Sequence, residues 1–187
     1  LGGEPRFLML ETIHEYARER LTDRGAAEKF QRRHAAYFAS LAEQAETEIL
    51  EGKQRHWFKR LLSEHDNLRA ALAFALGSGE CELGLRIGGA LRDFWNYSGH
   101  AGEGLGWIKR TLEVTGEVSP AVRAKVLNAA GSLSFVQGNY ERGKLFNNQA
   151  LALYRELGDQ VNIAWALVFL SSNCTGSLSD IKEGIEL

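Results

Sequence analysis

VRAKVLNAAGSLSFVQGNYERGKLFNNQALALYRELGD, residues 122–159, decides the fold. Two helix-length apolar patterns flank one turn, Gln137-Gly138-Asn139. Small residues (Ala130, Gly131, Gly143 and Ala150) stand where two antiparallel helices would touch. A lone hairpin cannot bury both of its faces, so this one calls for neighbours of the same kind.

The bulk composition agrees with helix. The chain has 187 residues, 44% hydrophobic and 25% charged, with two prolines and few β-branched runs. Stretches rich in Ala, Leu, Glu and Arg recur, which favours an all-helical fold. The formal net charge of −2 supplies no electrostatic drive toward nucleic acid or an anionic membrane. Cys81 and Cys174 are far apart and form no metal-type spacing with histidine, so they read as small buried residues. No apolar run reaches the roughly 18 residues of a membrane span. The N-terminal LGGEPRFLML lacks the basic start and cleavage pattern of a signal peptide, so the cytoplasm is the expected compartment.

Outward from the hairpin, the pattern predicts helices over about 81–98, 101–115, 119–137, 140–157 and 160–174, and a last one from Ser179. Ser119-Pro120 is a cap followed by a first-turn proline. Upstream, residues 6–10 read as one short extended stretch, followed by a helix that stops near Gly25. Helices over 26–50 and 53–76 come next. Phe30, Tyr37, Phe38, Leu41, Ala45 and Ile49 form the buried stripe of the first, and Trp57, Phe58, Leu61, Leu62, Leu68, Leu72 and Leu76 that of the second. Gly77–Glu80 is a clear break.

The chain is also periodic. Shifted by 39 residues, YSGHAGEGLGWIKRTLEV (97–114) lies over VQGNYERGKLFNNQALAL (136–153), with Gly99 on Gly138, Gly104 on Gly143 and Leu112 on Leu151. Shifted by 40, IAWALVFLSS (163–172) lies over RAKVLNAAGS (123–132). A period of that length built from two helices indicates a stacked helical array.

On Leu127, Ala130-Gly131, Gly138-Asn139-Tyr140, Gly143 and Ala150-Leu151, the array resembles the tetratricopeptide repeat family. Ser134 and Asn147 stand where that family has aromatics, and Arg92 where the first copy should have glycine. The resemblance implies an all-α, right-handed superhelix of antiparallel helix pairs, with repeats over about 81–118, 119–159 and an incomplete 160–187.

A second resemblance lies in order along the chain. RFLMLETIHEYARERL (6–21), RRHAAYFASLAEQAE (32–46), LLSEHDNLRAALAFAL (61–76) and ALALYRELGD (150–159) resemble large bacterial STAND-type ATPase transcription regulators of the LuxR and antibiotic-pathway kinds. It implies that 1–25 is the remnant of a winged-helix module, 26–80 a linking helical hairpin and 81–187 a sensor array. The nucleotide- and DNA-binding parts would lie outside this chain. Leu178, Ile181 and Ile185 would then wait for a further repeat, and could support self-association.

No constellation demands catalysis. His14-Glu15 lacks the second histidine of HExxH, and Gly102–Gly106 has no preceding strand and no Lys-Ser/Thr to hold phosphate. Glu64-His65-Asp66-Asn67 reads as polar packing, Arg32-Arg33-His34 as a solvated face, and Trp57-Phe58 and Phe94-Trp95 as core. The expectation is a non-catalytic module without cofactor or metal. Its partner would be a protein, a peptide or the ATPase core of its own full-length chain, and neither nucleic acid nor membrane. In the repeat family the first helix of each pair lines a concave groove. That register implies Arg86, Asp93 and Asn96 from the first copy, Lys125, Asn128, Ser132 and Phe135 from the second, and Trp165, Val168 and Ser172 from the third. Lys125 and Asn128 together could hold a carboxylate by charge-assisted hydrogen bonds.

Overall fold

The computed structural model describes residues 10–114 and 116–175; the side chains of residues 11, 14 and 172–175 are outside the description. All ten elements among them are helices: α1 (Glu11–Asp23), α2 (Ala27–Leu50), α3 (Gln54–Ser63), α4 (His65–Ser78), α5 (Cys81–Ala90), α6 (Arg92–Tyr97), α7 (Ala101–Glu113), α8 (Pro120–Val136), α9 (Tyr140–Leu157) and α10 (Gln160–Thr175). The predicted strand at 6–10 and the helix from Ser179 fall largely or wholly on undescribed residues. Leu10 itself is extended.

Local chemistry sets the boundaries of the central hairpin. Ser119 Oγ accepts from the Val122 amide at 3.4 Å, and Pro120 occupies the first turn of α8. Gly138 has φ +73°, a left-handed turn that only glycine adopts without cost, and Asn139 Oδ1 then accepts from the Arg142 amide at the start of α9. Gly158 closes α9 in the same left-handed conformation. Asp159 opens α10 by accepting from the Asn162 amide at 3.1 Å.

Two of the predicted long helices are broken. The 53–76 helix divides at Glu64, whose amide donates to both the Arg60 and Leu61 carbonyls while its carboxylate accepts from Asn67. Local polar bonding there competes with the helical ladder. The 81–98 helix divides at Leu91, just after Gly88 and Gly89, where the helix-weakening absence of side chains lets α5 approach Ile108 and Lys125.

α8 and α9 form the most extensive pair, α9 carries α10, α2 packs on α4 and α5, and α5 packs on α7 and α8. One apolar core runs from α2 to α8 and includes Trp57, Phe94, Trp95 and Leu133; a smaller one joins Leu127, Leu151, Tyr154 and Ala166. Three residues assigned to buried stripes are half-exposed: Phe30, Tyr37 and Leu62. Phe30 lines an open cleft of about 1050 Å³ between α1, α2 and α4, with Leu21 and Phe74. Among the described residues no helix is long and apolar enough to cross a membrane.

Candidate functional site

A second groove, of about 410 Å³, gathers the polar residues of interest. α2 contributes Glu46, α6 contributes Arg92, α8 contributes Lys125 and Asn128, α9 contributes Tyr154 and α10 contributes Trp165. Three of the ten residues the repeat register implied, Lys125, Asn128 and Trp165, therefore meet here. Arg86, Asp93, Asn96, Ser132, Phe135 and Val168 do not line it, and the Ser172 side chain lies outside the described residues.

The charges in and around the groove are already paired. Lys125 Nζ donates to Glu46 Oε2. Arg92 forks onto its neighbour Asp93 at 2.9 and 3.2 Å, and reaches Asn128 Oδ1 at 3.5 Å. Outside the groove, Arg86 holds Glu43 through two bonds of 2.8 Å, and this hydrogen bonding keeps the Glu43 carboxyl below its ordinary value despite partial burial. Asn96 Nδ2 donates to Ser132 Oγ at 3.0 Å. Phe135 meets Tyr140 edge-on at 5.2 Å.

Two groove features remain available. Asn128 is 5% exposed, yet its Nδ2 donor has no protein partner. Trp165 is 55% exposed, with its ring 6.4 Å from Phe169, whose face carries the Arg92 guanidinium at 5.4 Å. Tyr154 forms the floor, and burial, reinforced by nearby Asp159, pushes its phenol up to about 12. It therefore stays protonated and uncharged. A buried amide donor, a protonated phenol and an exposed indole suit recognition of a mixed polar and apolar segment. The carboxylate-holding role inferred for Lys125 meets a competitor, because Glu46 already occupies that ammonium.

Sequence reading missed Glu46 and Arg92. Glu46 sits on α2, outside the expected repeats, so no repeat register reaches it. Arg92 carried one signal: it occupies the place of the motif's glycine.

The chain is similar to bacterial transcription regulators. Over 173 residues, 88% of its length, it is 35% identical to proteins of Mycobacterium bovis and of two strains of Mycobacterium tuberculosis, each named "Putative HTH-type transcriptional regulator". The matched stretch is 19% of each relative's length, so the chain spans about a fifth of the curated relatives it matches. No family model matches the chain. No solved structure matches it.

Proposed function

We propose that this chain is a non-catalytic interaction and sensor module of a larger bacterial transcription regulator of the STAND ATPase kind, built as a tetratricopeptide-like array and working in the cytoplasm. The observation that carries the reading is the similarity to one fifth of proteins named as transcription regulators. An all-helical segment of that size, in this reading, serves such a protein by binding. In this reading the groove between α2, α8 and α10 takes a peptide segment, either from a partner protein or from the ATPase core of the same full-length chain. Occupancy then biases an on/off equilibrium by favouring one conformation of the regulator.

The test is made in the full-length regulator. Asn128→Ala combined with Trp165→Ala should alter the transcriptional response to the inducing condition while operator affinity stays at the wild-type level. An unchanged response removes the groove from the mechanism. Operator binding by the isolated chain would overturn the module assignment itself. The reading also expects a glycine-rich phosphate loop ending in Lys-Ser/Thr on the N-terminal side of this region in the full-length sequence.

A second reading, self-association without a ligand, is favoured by the exposed apolar side chains Val161, Trp165, Leu167 and Val168 of α10. Patches of this kind mark interaction sites. Sedimentation of the chain over a wide concentration range tests it, and a monomer at every concentration would eliminate it.

A further inference from the structure

We propose that His65, His100 and Glu103 bind a zinc ion that ties the start of α4 to the α6–α7 connection. One ring nitrogen of each histidine and a carboxylate oxygen of Glu103 lie within 4.8 Å of one another. Two ligands on a tetrahedral zinc, each about 2.1 Å from the ion, are roughly 3.4 Å apart. His65 Nε2 already stands 3.5 Å from Glu103 Oε2. The two imidazole rings meet edge-on with centroids 4.5 Å apart, so a shift of about an ångström closes the triangle. Two histidines and one glutamate form a zinc ligand set that keeps a fourth position for water.

An independent observation points to a ligand. The His65 side chain is 12% exposed, and its Nε2 is buried without a hydrogen-bond partner. Buried polar atoms are seldom left so, because the missing bond costs stability.

The surroundings fix the orientation of each ligand. Ser98 Oγ donates to the Phe94 carbonyl, so it accepts from His100 Nδ1 at 2.9 Å. That bond selects one tautomer and leaves the His100 Nε2 lone pair free. Phe94 lies parallel to the His100 ring and edge-on to His65, at 5.9 and 5.5 Å. Arg69 forks onto Glu103 at 2.7 and 2.8 Å, and Trp107 Nε1 donates to the same Oε1 at 3.3 Å; Oε2, the oxygen that faces His65, keeps a second lone pair for an ion. The Arg69 charge lowers the affinity below that of an uncharged setting. The three ligands are invisible to motif reading because residue 65 is distant in sequence from the pair at 100 and 103.

Zn²⁺ added to the chelator-stripped chain is the test. One equivalent should bind saturably and raise the melting temperature, while Mg²⁺ does neither. Co²⁺ in its place should give the visible absorption of a tetrahedral site. His100→Ala and Glu103→Gln should each weaken zinc binding about tenfold or more, and Ser98→Ala about tenfold by freeing the His100 ring, all with wild-type helical content. Absence of saturable zinc binding overturns the proposal. So does wild-type affinity in the His65→Ala, His100→Ala double variant, which would move the zinc to His14, His34 or His56.

Discussion

Two helix pairs in this molecule seat a large side chain over a glycine, with opposite chemistry. Where α6 meets α7, the Trp95 indole covers Gly104; a Cβ at 104 would stand 2.3 Å from its ring. Where α8 meets α9, the Asn147 amide covers Gly131; a Cβ at 131 would stand 2.1 Å from its Oδ1. Both covering side chains are essentially buried, at 1% and 0% exposed. The indole gains from leaving water, whereas neither polar atom of Asn147 has a hydrogen-bond partner. Close helix approach is thus shared by the two pairs, while only the first draws apolar stability from the side chain that fills the gap.

The largest effect is expected from Trp95→Ala. It empties the core beside Gly104 and should cost about 3–5 kcal/mol in chemical denaturation. A loss below that of an ordinary surface substitution would mean that the α6–α7 contact contributes little. Next comes Gly131→Ala. In an open helix the added methyl would stabilise by about 0.5–1 kcal/mol. Here it collides with a buried amide, and a loss of about 1–3 kcal/mol is expected. A net gain would show that Asn147 can swing aside. Asn147→Leu sharpens the contrast in the other direction. It keeps the branching of the side chain, with somewhat bulkier ends, and removes the unpartnered amide, so melting should rise by the equivalent of about 1–2 kcal/mol. An unchanged or lower melting point would mean that bound water satisfies the amide.

The same contrast explains what could be read from the chain. Ser119-Pro120, Gly138-Asn139 and Gly158 act on their own backbone, so the α8–α9 hairpin and its boundaries were legible. The breaks at Glu64 and Leu91 were not, because apolar spacing continues across both: Leu61, Leu68 and Leu72 on one side, Ile87, Leu91 and Trp95 on the other. Phe30 and Tyr37 fit a helical stripe in sequence, yet α2 finds a partner for only part of that face. Within the candidate groove, repeat register found Lys125, Asn128 and Trp165. It could not find Glu46, whose pairing with Lys125 is made by tertiary packing between distant helices.

The smallest effect concerns a device that the first pair has and the second lacks. Beside Trp95, Arg69 of α4 staples Glu103 at the start of α7. The Glu103 carboxyl, ordinarily near 4.5, is held at about 2 by the Arg69 hydrogen bonds, with lesser help from Trp107 and His65 and against burial. A carboxylate whose folded value is depressed contributes stability that is complete above its unfolded value and disappears as pH falls through the folded one. The contribution should therefore be full above pH 4.5 and fade toward pH 2. Arg69 is 46% exposed, and solvent screening keeps the pair weaker than the packing contacts above. His65, held below its ordinary 6.5 by burial, loses stability on acidification as well, starting at higher pH. Burial, the main cause of that loss, is common to the wild type and Arg69→Gln and cancels in their difference; only the lesser push of the Arg69 charge on His65 differs. The difference between the two proteins, followed by urea unfolding, should change little from neutral pH to about 5 and then narrow. A gap that stays constant into the acid range would assign the Arg69 contribution to packing of its stem rather than to its charge.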